Sequence, residues 1–431
     1  MSQSRDTRAD APAIALSGSP KAVGTLWGET NRSTIHNDLE SLFLAPARER
    51  GLTTDVLIAR SRRFVEIAEQ LAPHWIEEAH SIARAAGVEG ELYLAFIAGV
   101  YRGLFLHEEE SAPDPAASED ECTSYTIAPA ETAGNAILFH KTRDNVARAQ
   151  SAFVLRSTSP GIQAFLAVSD ASVLAAMMMV NERGLAGSAD MMGLDEVRPR
   201  FRGMMNTFIL RHIAERASCC AEALEIIREF VSRGWYAGGA KTGTHWLFVD
   251  REGTALEVSN NAVEVQSRLH PEGVYFSLRA DTPGAEALRQ APHPVEFTTF
   301  HNVSRHPSLC LETSISGMTV EIDRTCPEKL TTAWVTFPAR SLAFPLFMGI
   351  RETPRALIDG SVDRAGQAVT GEIKRYEEME RAIYARQQAI REEARALLTS
   401  GHAAKVEELL DTWVQRQAME NLAALQELAR A

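Results

Sequence analysis

The spacing of hydrophobic residues predicts that the N-terminal quarter of the chain is largely helical. Apolar residues recur every three to four positions over 53–86 and again over 91–106, which is the period of a helix with one buried face. Residues 1–48 lack this period and are rich in Ser, Ala, Gly and Pro, so we predict a loosely ordered leader there. Residues 107–121 contain seven acidic residues and two prolines, which predicts an exposed, flexible linker.

The pattern then changes from helical to strand-like spacing. Short apolar runs separated by turn residues predict strands over 124–168, helices at 204–215 and 220–232, and further strands up to residue 322. This order is typical of a layered α+β fold rather than of a βαβ winding. Helical spacing returns after residue 371, with a break at 400–402, and predicts a helical hairpin. The predicted domains are a leader (1–48), a helical prosegment (49–121), an α+β domain (122–365) and a helical C-terminal extension (366–431).

Composition narrows the classes of protein. The 431 residues are 45% hydrophobic and 23% charged, which is typical of a globular chain. The net charge of −13 disfavours nucleic acid and anionic membranes as partners. No apolar run reaches the roughly 20 residues of a membrane helix, and no signal-peptide pattern is found. The 5 cysteines follow no disulfide spacing, so we expect a reducing compartment and a cytoplasmic protein.

Several familiar motifs are approached but not completed. Residues 234–242 nearly form a phosphate-binding loop, but Ala240 separates the last glycine from the lysine. The Lys-Thr-Gly of residues 241–243 lacks the Ser-x-x-Lys that accompanies it in penicillin-binding enzymes. His301, His306 and Cys310 have no partner motif of a metal site. We therefore predict neither a cofactor nor a metal.

One cysteine has a chemically suggestive neighbourhood. Cys122 opens a predicted strand directly after the acidic linker, a position where a cysteine is most often only a small buried hydrophobe. The next predicted strand ends in Phe-His-Lys-Thr-Arg-Asp, residues 139–144. If the two strands form a hairpin, Lys141 or Arg143 would lie near the thiol and favour its thiolate, the reactive form.

Three segments in this order resemble the N-terminal nucleophile hydrolases. They are Cys-Thr-Ser at 122–124, the 139–144 segment, and Val-Asn-Glu-Arg-Gly-Leu-Ala at 180–186. The similarity is to the branch that holds penicillin acyltransferases, choloylglycine hydrolases and related amidases. It extends over about 75–350, and it implies a four-layer αββα sandwich with an N-terminal helical prosegment.

The resemblance also implies roles for individual residues. The precursor would be cut between Glu121 and Cys122 into chains of 121 and 310 residues, and the new α-amine of Cys122 would serve as base for its own thiol. Lys141 stands where the family has an arginine, Asp144 would orient the amine, and Asn181 would donate to the oxyanion. Arg143 would stabilise the thiolate or bind a substrate carboxylate.

Two departures from the family pattern leave alternatives open. Glu121 stands where the branch usually has glycine, and the second oxyanion asparagine is not found near 274–280, where Leu278 stands instead. Asn260, Asn261 or Asn302 could replace it, as three equal alternatives.

We expect a hydrolase of linear amides. The alternatives are an acyltransferase using a thioester such as acyl-CoA, and an unprocessed, non-catalytic scaffold. The expected partners are a small amide or acyl substrate, the two cleaved chains bound to each other, and a second copy held through the C-terminal helices.

Overall fold

The computed structural model describes residues 13–109, 111–112, 122–369 and 371–430. Glu121 and most of the predicted acidic linker lie outside the described residues, as do residues 1–12. The helices are α1 (Pro20–Thr30), α2 (Arg32–Asp38), α3 (Ala45–Glu49), α4 (Thr54–Leu71), α5 (Pro73–Ala86), α6 (Gly90–Gly99), α7 (Asn206–Arg216), α8 (Cys220–Ser232), α9 (Pro283–Arg289), α10 (Phe297–Val303), α11 (Pro327–Leu330), α12 (Ser361–Gln367), α13 (Ile373–Thr399) and α14 (Ala403–Leu428).

The strands occur in runs between groups of helices, which confirms the predicted α+β class. They are β1 (Ala13–Ile14), β2 (Leu16–Gly18), β3 (Thr123–Ile127), β4 (Ile137–Asp144), β5 (Gln150–Ser157), β6 (Phe165–Asp170), β7 (Met178–Asn181), β8 (Ala186–Asp190), β9 (Met204–Met205), β10 (Tyr236–Ala237), β11 (Thr244–Val249), β12 (Ala255–Asn260), β13 (Val265–Leu269), β14 (Val274–Phe276), β15 (Ser314–Ile322), β16 (Thr332–Thr336), β17 (Phe344–Phe347) and β18 (Thr353–Pro354).

Two larger sheets form the centre of the described chain. One has eight strands in the order β13-β12-β11-β8-β7-β6-β5-β2, and the other has six in the order β14-β3-β4-β15-β16-β17. Strands β3 and β4 contact β8 and β11, so the two sheets face each other. Helices α7 and α8 contact the eight-stranded sheet, while α10 and α14 contact the six-stranded one. Most side chains of β4 and β15 are buried because both of their faces are covered.

The prediction of a loosely ordered leader is wrong for residues 13–48. Strand β2 pairs in parallel with β5 at the edge of the eight-stranded sheet, and Ser19 caps α1 by accepting a hydrogen bond from the Ala22 amide. The glycines of α1 face α5 at close range, since a Cβ on Gly24 would lie 2.4 Å from the Glu78 carbonyl oxygen. The small residues of this segment, which suggested disorder, form the surface on which α1 packs closely against α5.

The predicted C-terminal helical hairpin is confirmed, with α13 and α14 separated by a turn at 400–402. It packs on the body of the molecule, because α14 contacts β17 and the ring of Trp413 lies 5.6 Å from that of Phe347. Within the part of the chain that the structure describes, no helix is both long and apolar enough to cross a lipid bilayer.

Candidate functional site

The pairing of β3 with β4 places Cys122 opposite the charged end of β4. Thr123 pairs with Thr142 and Ser124 with Lys141, so Cys122, one residue earlier, continues the register towards Arg143. Because side chains alternate along a strand, Cys122, Lys141 and Arg143 share one face. The predicted hairpin therefore brings the thiol to the two cations, and Cys122 itself is only 6% exposed.

Lys141 is buried between the two sheets. Its ammonium forms an ion pair with Asp190, at the end of β8, and donates to the Ala189 carbonyl oxygen at 3.4 Å. It lines the same cavity as Cys122 and interacts electrostatically with that thiol. Burial lowers the pKa of Lys141, and the nearby Cys122 and Asp144 oppose that shift without cancelling it. The thiol thus faces a cation that has little water around it.

Arg143 is engaged away from the thiol. Its guanidinium forms two hydrogen bonds with Asp170 and a third, at 3.0 Å, with the side-chain oxygen of Gln150. Burial raises the pKa of the Asp170 carboxyl, but the charges of Arg143 and Arg148 outweigh it, so the pKa is lowered. Arg143 contributes positive potential near Cys122, but its donors are used to hold Asp170.

Asp144 lies beside the nucleophile, but its carboxylate has other partners. One oxygen accepts from Arg279 at 2.7 Å and the other accepts from the Ser314 hydroxyl. Burial raises the pKa of this carboxyl, and the two donors only partly offset the increase. The Cys122 sulfur lies 4.0 Å from the backbone carbonyl oxygen of Asp144. The carboxylate is therefore held in a fixed orientation close to the start of β3.

A cavity of about 290 Å³ opens onto the thiol. Its wall includes Cys122, Lys141, Arg143 and Asp144, which are four of the predicted site residues. Residues Val100–Gly103, from the N-terminal helical region, form another part of the wall. A larger groove of about 700 Å³, lined mostly by arginine and glutamate, contains no Cys, Ser or Thr and so offers no nucleophile.

Asn181, the predicted oxyanion donor, is not part of this cavity wall. Its amide nitrogen donates to the carbonyl oxygens of Ala214 and Ala217 and to Gln163, and its oxygen accepts from the backbone amides of Arg183 and Leu185. All of its hydrogen-bonding groups are used to fix the turn after β7 against the end of α7. The structure gives Asn181 a role in the turn, which the Asn-Glu-Arg-Gly sequence also favours.

Four residues that the sequence reasoning missed complete the site. Asp190 and Asp170 neutralise its cations, while Asn206 and Thr207 line the cavity at the start of α7. Asp190 ends a strand of small and apolar residues, and a carboxylate in that position must be paired, so it could have been noticed. Nothing in the sequence distinguishes Asn206 from the chain's other asparagines.

The side chains of the site do not form a metal-binding arrangement. Among the described residues, no group of three or more His, Cys, Asp or Glu could hold a metal ion.

Comparisons with known proteins reveal fold neighbours only. No family model and no curated protein matches the chain. It is similar to the structure of penicillin V acylase from Agrobacterium tumefaciens, with 14% identity over 53% of this chain and 86% of that chain, at a TM-score of 0.39. It is also similar to the Caenorhabditis elegans ortholog of N-acylethanolamine-hydrolyzing acid amidase, with 9% identity over 46% of this chain and 92% of that chain, at a TM-score of 0.34.

A variant of the conjugated bile acid hydrolase from Clostridium perfringens gives 12% identity over 53% of this chain and 92% of that chain, at a TM-score of 0.33. All three proteins are N-terminal nucleophile hydrolases, the superfamily that the sequence motifs resemble. Similarities at this level assign neither a substrate nor catalytic residues to the present chain.

Proposed function

We propose that the protein is a self-processing cysteine hydrolase of amides. The observation that carries this proposal is the Cys122 thiol, which lies on a cavity wall together with the buried ammonium of Lys141 and interacts electrostatically with it. A cation next to a thiol stabilises the thiolate, which is the nucleophilic form. A cysteine that served only as a small core residue would need neither the cation nor the cavity.

The first reaction would be cleavage of the chain itself. The Cys122 sulfur attacks the carbonyl carbon of Glu121, the peptide C–N bond breaks, and a thioester joins the two residues. Water then hydrolyses the thioester, which leaves a carboxylate on Glu121 and a free α-amine on Cys122. An α-amine has a pKa near ~8, so part of it is unprotonated at neutral pH and it can accept a proton, whereas the former amide could not.

The second reaction would use this amine as a general base. It accepts the thiol proton, and the thiolate, stabilised by Lys141, attacks the carbonyl carbon of the substrate amide. The leaving amine takes the proton from the α-ammonium as the C–N bond breaks, and an acyl-thioester remains. Water, deprotonated by the same amine, then releases the acid. The carboxylate of Asp144 stabilises the ammonium form at each proton transfer.

The oxyanion of the tetrahedral intermediate needs a donor other than Asn181. We assign this role to the side-chain amide of Asn206. Asn206 lines the same cavity as Cys122, is about nine-tenths buried, and makes no side-chain hydrogen bond within the described residues. An amide that is held by the start of α7 and has no other partner is able to donate to a developing charge.

The proposal is tested by the mass and the N-terminal sequence of the purified protein. We expect two chains, the larger of which begins at Cys122, together with release of acid and amine from simple N-acyl amides. A Cys122→Ala variant should remain full length and inactive. A Cys310→Ala variant is the matched control, because that cysteine is also buried but lies outside the cavity, and it should be processed normally. A fully active uncut chain, or a cut at another bond, would contradict the proposal.

A further inference from the structure

The groove of about 700 Å³ gathers arginine side chains on a chain whose net charge is −13. Its wall contains six arginines and three glutamates, so the cations exceed the carboxylates by three. Its volume lies within the range of sites that bind small molecules. A concave surface lined by one sign of charge raises the local concentration of ions of the opposite sign. The six side chains that define this arginine groove are Arg60, Arg62, Arg63, Arg200, Arg202 and Arg233.

The arginine groove lies between the N-terminal helices and the body of the molecule. Helix α4 supplies three of the arginines, and the segments just before β9 and just after α8 supply the other three. Burial, and then the positive charge of Arg60, lowers the pKa of Arg202. Cations from two separate parts of the chain are therefore close enough to repel each other, and an anion placed between them would relieve that repulsion.

Two of the six arginines are already engaged by the protein. Arg60 donates to a backbone carbonyl oxygen and to the carboxylate of Glu108. Arg202 donates to three backbone carbonyl oxygens, and its Nε lies 3.6 Å from the carboxylate of Glu109. Both glutamates are exposed to water, so these two pairs contribute little to stability and can be exchanged for another anion.

The other four arginines are accessible to a ligand. Arg62, Arg63 and Arg233 are exposed, and Arg200 is half-buried. Arg62 and Arg200 make no side-chain hydrogen bond or ion pair among the described residues. Arg63 and Arg233 form ion pairs with exposed glutamates of α4 and α8, and such surface pairs are weak. Their donors can therefore turn to a ligand at small cost.

The backbone at 233–235 positions two of these guanidinium groups. Gly234 has a φ of +63°, in the left-handed region, and a Cβ there would lie 1.8 Å from an Nη atom of Arg200. Only glycine thus leaves room for Arg200 at this place. The guanidinium of Arg233 lies over the ring of Trp235, 4.5 Å from its centroid. Both cations are held next to the same stretch of backbone.

We infer that the arginine groove binds a small polyphosphate anion between α4 and the backbone that follows α8. Guanidinium groups match the oxygens of phosphate with two parallel hydrogen bonds each. The excess of three cations suits a ligand with several negative charges rather than a single carboxylate. The inference goes beyond the proposed hydrolase and does not depend on it, because this groove shares no lining residue with the cavity at Cys122.

A ligand in the arginine groove would also join the two chains that a cut before Cys122 produces. Helix α4 precedes the cut, whereas Arg200 and Arg233 follow it. Triphosphate at about 100 times its Kd should therefore tighten the association of the two chains about 100-fold, by mass action. Gel filtration of the cut or nicked protein in urea measures this effect. Bound triphosphate that leaves the dissociation unchanged would show that it contacts only one of the chains, against the inference.

The site itself is tested by calorimetric titration of the Cys122→Ala chain with inorganic triphosphate, because this chain lacks the nucleophile and stays in one piece. We expect binding at least about 10-fold tighter than that of sulfate at equal ionic strength, and weaker binding as salt is added. ATP identifies the source of the phosphates. An affinity above that of triphosphate indicates a nucleotide, and a lower one indicates inorganic polyphosphate; both support the site. Triphosphate that binds no more tightly than sulfate would overturn the inference.

Variants in the same background locate the bound anion. Arg62→Gln/Arg200→Gln should weaken triphosphate binding at least about 10-fold, because it removes two charged donors. Arg198→Gln/Arg228→Gln is the matched control, since it removes the same charge from exposed positions outside the groove, and it should change the Kd less than about 2-fold. Equal losses in the two double variants would mean that triphosphate responds only to the overall charge, and the assignment to the groove would be wrong.

A third double variant is expected to gain affinity, which a folding defect cannot imitate. Glu108→Gln/Glu109→Gln removes the carboxylates that occupy Arg60 and Arg202, so it should tighten triphosphate binding about 10-fold. A synthetic peptide with the sequence of residues 108–121, titrated in parallel, provides the opposing outcome. If this peptide binds more tightly than triphosphate, the groove is a site for acidic peptide rather than for polyphosphate.

Discussion

Lys141 and Asp190 form a buried ion pair that joins the two sheets, and the same lysine faces the thiol. Removing only one member of such a pair leaves an uncompensated buried charge, which costs about 3–5 kcal/mol. Lys141→Met alone would therefore combine a loss of stability with a loss of chemistry. The double variant Lys141→Met/Asp190→Asn removes both charges and allows the two effects to be separated.

We predict that the double variant is close to the wild type in its free energy of unfolding but that Cys122 reacts at least 10-fold more slowly with iodoacetamide at pH 7. The reason is that Lys141 favours the thiolate. Peptide mass spectrometry assigns the label to Cys122, and Cys219, which lies outside the cavity, is the internal control. Equal rates at pH 7 would contradict the role of Lys141.

The two asparagines of the site region should differ in what they support. Asn181→Ala removes five hydrogen bonds from a buried turn, so we predict a fall of about 2–4 kcal/mol in the free energy of unfolding and less than a 5-fold fall in kcat of the folded protein. Asn206→Ala should instead lower kcat by about 10²- to 10³-fold, as loss of an oxyanion donor does elsewhere. The opposite pattern, measured by urea unfolding and steady-state kinetics, would restore Asn181 as the catalytic residue.

The spacing of apolar residues was sufficient to predict those helices and strands whose local sequence and tertiary contacts favour the same structure. The long helices α4, α5, α13 and α14 have apolar stripes. Strands β3 and β4 contain β-branched, aromatic and aliphatic residues and are bounded by turns. The prediction failed for α1. Its Gly24 and Gly28 lie so close to the backbone of α5 that a Cβ atom at either position would clash with a carbonyl oxygen. This contact is long-range, so a window of local sequence contains no sign of it.

A buried carboxylate on α13 is one of the groups that attach the C-terminal hairpin to the body. Glu380 accepts two hydrogen bonds from Arg305, at 2.6 and 2.8 Å, and one from the Ala343 amide at 2.8 Å, and His301 lies 3.5 Å away. Burial alone raises the pKa of Glu380, but Arg305 and His301 outweigh it and lower the pKa to about 2. The ionised carboxylate is thus bound more strongly in the folded chain than in the unfolded one.

We predict that Glu380→Gln lowers the free energy of unfolding by about 3–5 kcal/mol at pH 7. A carboxyl with a depressed folded pKa stabilises the fold above its unfolded pKa of 4.5 and loses that effect as pH falls towards 2. The wild type should therefore lose about 2 kcal/mol of its advantage over the variant by pH 3. Urea unfolding at both pH values measures this difference. Glu378→Gln, exposed on the same helix, is the control, and an advantage that does not change with pH would contradict the argument.

At the scale of the whole molecule, the sequence was most informative where reactive side chains lie on two neighbouring strands whose pairing can be predicted. Cys122, Lys141 and Asp144 could be placed together from two adjacent strands and a motif, because a hairpin fixes their neighbours. Asp190, Arg148 and Asn206 could not, since they come from three other elements that meet only when the two sheets and α7 pack. The contribution of Val100–Gly103 to the cavity was equally hidden, because it depends on the N-terminal helices remaining on the body.

The N-terminal helices are joined to the body by buried polar contacts. Arg211 of α7 binds Glu78 of α5 at 2.6 Å, and Glu215 of α7 accepts hydrogen bonds from His74 at 2.9 Å and from Trp75 at 3.0 Å. Strand β2 adds to the eight-stranded sheet from the same segment. Cutting the chain before residue 122 interrupts none of these contacts, so both pieces should remain together.

We predict that the cut protein elutes at the same volume as the uncut chain and separates into two chains only in denaturant. If self-cleavage does not occur, a protease site inserted within 113–121 produces the same nick for the test. Arg211→Met leaves Glu78 unpaired and should weaken the association by about 3–5 kcal/mol, so that the chains separate at lower urea. Arg228→Met, which removes a surface ion pair with Glu225, should change the midpoint by less than about 1 kcal/mol. Separation of the nicked wild type without denaturant would show that the N-terminal helices are a removable segment, and that the cavity of the mature protein lacks the wall formed by Val100–Gly103.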